Sequence, residues 1–155
     1  GASPDKPAPA ASPSAAPHQK LADLNYRQGR GQYDQQDYWS AIQAFRQSVR
    51  MEPEVARYRY WLAMALTKNA KWRREAEEHF LRAIELEQFN ADYYIGLGML
   101  YKEAGMQRRA ESQLKQALQV NPGNKAAQEA LDSLLAANTK KSSGLDTLKG
   151  FFKKK

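Results

Sequence analysis

One pattern of small, apolar and aromatic residues recurs three times along the chain, at residues 22–55, 56–90 and 91–124. The spacing of about 34 residues constrains the fold more than any other feature. In the third segment, Tyr94-x-x-Leu97-Gly98-x-x-Tyr101 precedes Ala110-x-x-x-Leu114, Ala117 and Pro122. In the first, Gly29, Ala41-x-x-x-Phe45 and Pro53 fall at the same offsets. The second carries Leu62-Ala63-x-x-Leu66, then Ala76-x-x-x-Phe80 and Ala83. The apolar period is helical, and each segment reads as a pair of helices, A and B. The small residue on helix A (Gly29, Ala63, Gly98) and the Ala on helix B (Ala41, Ala76, Ala110) let the two backbones approach closely. Phe45, Phe80 and Leu114 are the knobs between neighbouring units, while Pro53 and Pro122 end helix B because proline cannot continue it. One such pair cannot bury its apolar face alone; three stacked pairs share a continuous core.

These positions resemble the signature of the tetratricopeptide-repeat (TPR) family across all three segments. The resemblance implies an all-α fold: a right-handed superhelix of three helix-turn-helix repeats closed by a capping helix. Residues 125–137 keep helical spacing through Ala127, Ala130, Leu131, Leu134 and Leu135 and supply that cap. The expectation is seven helices and no strand. Departures are informative. Repeat 2 has one extra residue in its A-to-B turn, around 67–72, and Gln88 where proline is usual. Repeat 1 has Gln28 and Gln32 where Leu and an aromatic are usual, which suits an end unit facing solvent. The chain is also similar to TPR modules at the C-terminus of bacterial multidomain proteins, including some linked to a J domain. The stretch RREAEEHFLRAIELEQFNADYYIGLGMLYKEAG and the Lys-rich end prompt that comparison.

Outside the repeats the composition shifts. Residues 1–18 form a linker: five prolines among Ala and Ser in 1–17 leave too little apolar surface to offset the entropy of ordering. Cysteine is absent, and no apolar run approaches the roughly 20 residues of a membrane-spanning helix. A start at Gly1-Ala2-Ser3 suggests a piece of a longer protein, and a cytoplasmic location is expected. The net charge of +7 resides mostly beyond Ala137, where six lysines face only Asp146. A basic balance of this kind describes a tail, and no nucleic-acid partner is expected.

Carrying over the family's inner-surface positions nominates a groove for a partner protein or peptide. Repeat 1 supplies Tyr26, Arg30 and Tyr33, repeat 2 Tyr60, Met64 and Lys68, and repeat 3 Ile95, Met99 and Lys102. Tyr and Met provide large, adaptable contact area, with charge at the rim. The alternative is that these side chains pack against one another or the cap. One TPR subclass grips the C-terminal carboxylate of chaperone tails. At its five key positions this chain has Tyr26, Arg30, Trp61, Asp92 and Gly96, with one basic residue among them, so that function is disfavoured.

The basic amphipathic tail, 138–155, is the second candidate. After a hinge at Ser142-Ser143-Gly144, Leu145, Leu148, Phe151 and Phe152 share a helical face among lysines. Such a segment suits docking to a partner, an anionic membrane surface, or the array's own groove; the alternative is a solubilising tail. Arg73-Arg74 and Arg108-Arg109 open the second and third B helices and read as solvated charge, the alternative being a basic stripe for acidic partners or nucleic acid. Trp39 and Trp72 read as inter-helix packing. Catalysis has no footing. His18 and His79 are the only histidines, neither is spaced with a second metal ligand, and no phosphate-binding loop or nucleophile elbow occurs. The chain is expected to be a non-enzymatic, monomeric scaffold or adaptor that uses no cofactor or metal.

Overall fold

The computed structural model describes residues 16–153, so most of the proposed N-terminal linker lies outside the described residues. Among the described residues seven α-helices follow in order: α1 (Pro17–Asp34), α2 (Tyr38–Met51), α3 (Ala56–Leu66), α4 (Arg73–Leu86), α5 (Ala91–Glu103), α6 (Gln107–Val120) and α7 (Lys125–Lys153). No strand occurs among the described residues. Helix α1 begins at Pro17, so the last two residues assigned to the linker are helical. Proline at a first helical position has no amide to leave unpaired. His18, on this first turn, reaches Glu52 at 2.8 Å.

The helices pair antiparallel as α1/α2, α3/α4 and α5/α6. Along the array α1 meets α3, α3 meets α5 and α5 meets α7, whereas α2, α4 and α6 make no comparable contact with one another. The solenoid therefore curves toward its A helices, and their inner faces form the concave side. One core runs its length, from Ala41, Ile42 and Phe45 through Leu62, Leu66, Phe80 and Leu97 to Leu114, Leu131 and Leu134. The knobs Phe45, Phe80 and Leu114 are completely buried. A Cβ placed on Gly29 would lie 2.7 Å from the Phe45 ring, and one on Gly98 would lie 3.0 Å from Leu114. These are within-repeat close approaches. Gly96 makes a between-repeat approach, since its Cβ would lie 2.6 Å from Phe80 on α4.

Local chemistry sets the helix ends. Asp37, Asn90 and Asn124 accept backbone amides at the starts of α2, α5 and α7. Helix α5 ends in a Schellman turn: Met106 N–H reaches the Tyr101 carbonyl and Gly105 N–H the Lys102 carbonyl, with Gly105 at φ 76°. Repeat 1 builds the same turn with Asp37 N–H on Gln32 and Gln36 N–H on Tyr33. There the left-handed position is Gln36, at φ 63°. Repeat 2 departs where its extra residue falls. A single 3-10 turn, Ala70–Trp72, is inserted before α4 and is capped by the Asn69 side chain.

Helix α7 holds the main surprise. Its first part caps the array as expected, burying Ala127, Leu131 and Leu134. The helix then continues unbroken through Ser142-Ser143-Gly144, where a hinge was expected. Ser and Gly are poor helix formers, but the docked first half already supplies the costly nucleus, and extension from it is far easier than initiation. The hydroxyls of Thr139 and Thr147 donate back to the carbonyls of Leu135 and Ser143, so they do not compete with the helix from outside.

Candidate partner-binding groove

The nine groove residues lie on α1, α3 and α5 or, for Lys68, just beyond the end of α3; none is fully buried. Spacings of i, i+4 and i+7 put Tyr26, Arg30 and Tyr33 on one face of α1. On α3 the same spacing runs Arg57, Trp61, Met64, with Tyr60 beside it. The structure joins these two helices through aromatic contacts. The Tyr33 and Tyr60 rings each stand T-shaped to Trp61 with centroids 5.3 Å apart. Tyr60 also lies 5.0 Å from Tyr93, and Tyr26 lies 5.1 Å from Tyr58.

Cations cover this aromatic floor. The Arg30 guanidinium stacks 3.5 Å from the Trp61 centroid, and its Nη1 donates to the Tyr26 hydroxyl at 3.3 Å. Its Nε is buried and has no partner. Lys68 reaches over Tyr33 and Tyr38 at 5.6 and 5.3 Å. Burial pushes the Tyr60 phenol up to about 12, so it stays a protonated hydrogen-bond donor at neutral pH. The result is a half-exposed, preformed patch in which flat apolar surface and positive charge alternate.

At the other end of the groove the residues also engage the fold, as Tyr26, Tyr33, Tyr60, Trp61 and Met64 do in packing on the main core. Ile95 packs against Ala91, Ala117 and Ala127, the junction of α5, α6 and α7. Lys102 donates to Ser133 of α7 at 3.4 Å. Met99 remains half-exposed on α5. The α1–α3 end is thus distinguished by its aromatic and cationic contacts, not by greater exposure. Trp61, at the centre of that end, was not among the nine nominated groove residues, although it occupies one of the five positions of the carboxylate grip and that was the available signal.

Other candidates resolve differently. Leu145, Leu148, Phe151 and Phe152 are all exposed on the free half of α7 and do not enter the groove. Trp39 is 62% exposed, with its ring 6.0 Å from that of Trp72, which itself packs on the core. Trp39 therefore contributes less helix packing than expected. Arg109 lies 4.0 Å from Glu77 and near the Tyr101 ring, so this part of the arginine pairs is spent on the surface of its own array. His79 faces the Arg59 guanidinium at 3.3 Å, and burial lowers its pKa below the ordinary histidine value. No group of three potential metal ligands occurs among the described residues. A broad hollow of about 980 Å³ lies outside the groove, bordered by Leu86, Phe89, Val120 and Asn121. It is open to solvent along the turns between repeats, and it lacks the convergent aromatic and cationic groups of the α1–α3 patch.

The geometry defines a class first: an all-α helical-repeat module with a concave face built from its A helices. Family models for the tetratricopeptide repeat match residues 26–91 and 91–124. The chain belongs to the tetratricopeptide-repeat family. Superkiller complex protein 3 of Mus musculus is 27% identical over 106 residues, which is 65% of this chain and 7% of that protein. The chain thus spans a small part of that curated relative's length. Among solved structures, the first TPR domain of human RPAP3 is similar at TM-score 0.74 and 19% identity, covering 81% of this chain and 98% of that one. The Arabidopsis OM64 TPR domain gives 0.73 and 18%, covering 77% and 98%. The second TPR domain of human RPAP3, in complex with the HSP70 peptide SGPTIEEVD, gives 0.70 and 23%, covering 76% and 97%.

Proposed function

We propose that the chain is a protein-interaction scaffold that holds a segment of another protein in its concave groove, chiefly at the α1–α3 end. The observation that carries this reading is the Arg30–Trp61 stack flanked by Tyr33 and Tyr60, a half-exposed aromatic platform with a fixed cation above it. Rigid aromatics lose little entropy on binding, and a desolvated guanidinium adds directional hydrogen bonds. The segment it suits combines aromatic or large aliphatic side chains with a carboxylate or backbone carbonyl aimed at Arg30 and Lys68. TPR domains of similar fold bind peptides of the HSP90 and HSP70 type. This chain has Tyr26, Trp61, Asp92 and Gly96 where that grip needs basic or amide side chains, so the preferred segment is internal and not a chain end. The role requires no chemistry, which fits a binding module and not an enzyme.

The test is a display screen of protein segments from the source organism, repeated with Tyr33→Ala combined with Lys68→Glu. Lys68 is exposed, whereas Tyr33 is half-buried and packs on the core, so Lys68→Glu alone serves as a second variant that should keep the helical signal. Segments enriched on the wild type should lose affinity on the order of tenfold or more on the variant. Segments that bind both proteins equally would place the interaction elsewhere.

A further inference from the structure

We propose that the free half of α7 is a membrane-surface helix that binds anionic phospholipid. The inference stands apart from the groove and does not rest on it. Along α7, Ala127, Leu131 and Leu134 form the buried seam, and the same alternating spacing of three and four continues through Asn138, Lys141, Leu145, Leu148 and Phe152. The array ends before this continuation begins. Leu145 and Leu148 are 57% and 55% exposed, and Phe151 and Phe152 are 71% and 74% exposed. A helix turns about 100° per residue, so Phe151 lies well off the seam. It widens the apolar face into a broad arc from Phe151 through Leu148 and Phe152 to Leu145.

The width of that arc separates the possible occupants. The strict two-position seam of a coiled coil would leave Phe151 uncovered. A flat bilayer interface covers the whole arc. Charge points the same way. Lys140 and Lys149 border the arc, Lys141 lies within it on a long stem that can reach outward, and Asp146 is the sole acid of the free half. Two copies pairing here would bring lysine against lysine, whereas an anionic leaflet attracts each of them. Aromatic side chains near the end of the helix suit the headgroup level, and a segment of this length lies on a bilayer without crossing it. No described helix is long and apolar enough to cross a membrane.

Co-sedimentation of the full chain with vesicles tests this, using pure phosphatidylcholine and phosphatidylcholine mixed with phosphatidylglycerol. The wild type should bind the mixed vesicles, bind pure phosphatidylcholine far less, and be released by high salt. Phe151→Ser with Phe152→Ser should reduce partitioning on the order of tenfold or more. Phe151 and Phe152 touch one another at the exposed end of the helix, so an unchanged melting curve should verify that the array is intact. Equal binding by the variant, or equal binding to both vesicle types, overturns the proposal. So does a chain that ignores vesicles but doubles its mass through the two phenylalanines, which would assign the stripe to a second copy.

Discussion

Gly29 and Gly31 stand two residues apart in α1 and should respond oppositely to alanine. A Cβ at 29 would meet the Phe45 ring at 2.7 Å, and because that ring is completely buried, it or the helix must shift. Gly29→Ala should lower stability by about 1–3 kcal/mol, the usual cost of overpacking. At Gly31 a Cβ meets nothing within 4 Å. Gly31→Ala should raise stability by about 0.5–1 kcal/mol, by restricting the unfolded chain and favouring the helix. Urea midpoints of the two variants check both signs; a gain at 29 would refute the close approach. The glycine facing Phe45 was legible because it recurs at the repeat period. Gly96 was not legible as a contact to the preceding repeat, because only the stacking of α5 on α4 brings Phe80 to it.

At the scale of elements, the turns show how one solution is reused and then abandoned. Gly105 closes α5 without strain in a left-handed conformation, whereas the equivalent Gln36 carries a Cβ there. An L-residue in that region costs roughly 1–2 kcal/mol, so Gln36→Gly should stabilise the chain by about 1 kcal/mol. The thermal midpoint should rise, and an unchanged midpoint would mean that the glutamine side chain offsets its own strain. Repeat 2 reaches its B helix through the 3-10 turn at Ala70–Trp72. The extra residue was visible in the sequence, but the conformation that absorbs it was not, because Asn69 makes the cap with its side chain. The uninterrupted course of α7 was illegible for a related reason. Local propensity at Ser142-Ser143-Gly144 argues for a break, and only the docked start of the helix outweighs it.

For the whole molecule, the repeat period carried the pairing of helices and the continuous core, and the helical spacing of 125–137 carried the cap. Those features depend on residues such as Phe45, Phe80 and Leu134, which recur at fixed offsets or close the series. The groove was legible as a set of positions, but not as a graded surface. Sequence spacing treats Tyr33 and Ile95 alike, while the fold sets one in an aromatic cluster beneath Lys68 and packs the other at the α5–α6–α7 junction. Trp61 became central only when α1 brought Arg30 across to it.

Helix α7 also joins a docked half and an uncovered half within one continuous ladder, which makes it a ruler for amide exchange. Near Leu131 and Leu134, deuterium can enter only when the cap lifts or the α5–α6 pair opens. Beyond Thr139 the same ladder is shielded by its own turns alone and should exchange orders of magnitude faster. Mass spectrometry of overlapping peptides should show one steep step near that residue, and even protection throughout would contradict it. The step also reports occupancy: whatever comes to cover the far half will move the boundary toward the C-terminus, before any other signal has named what arrived.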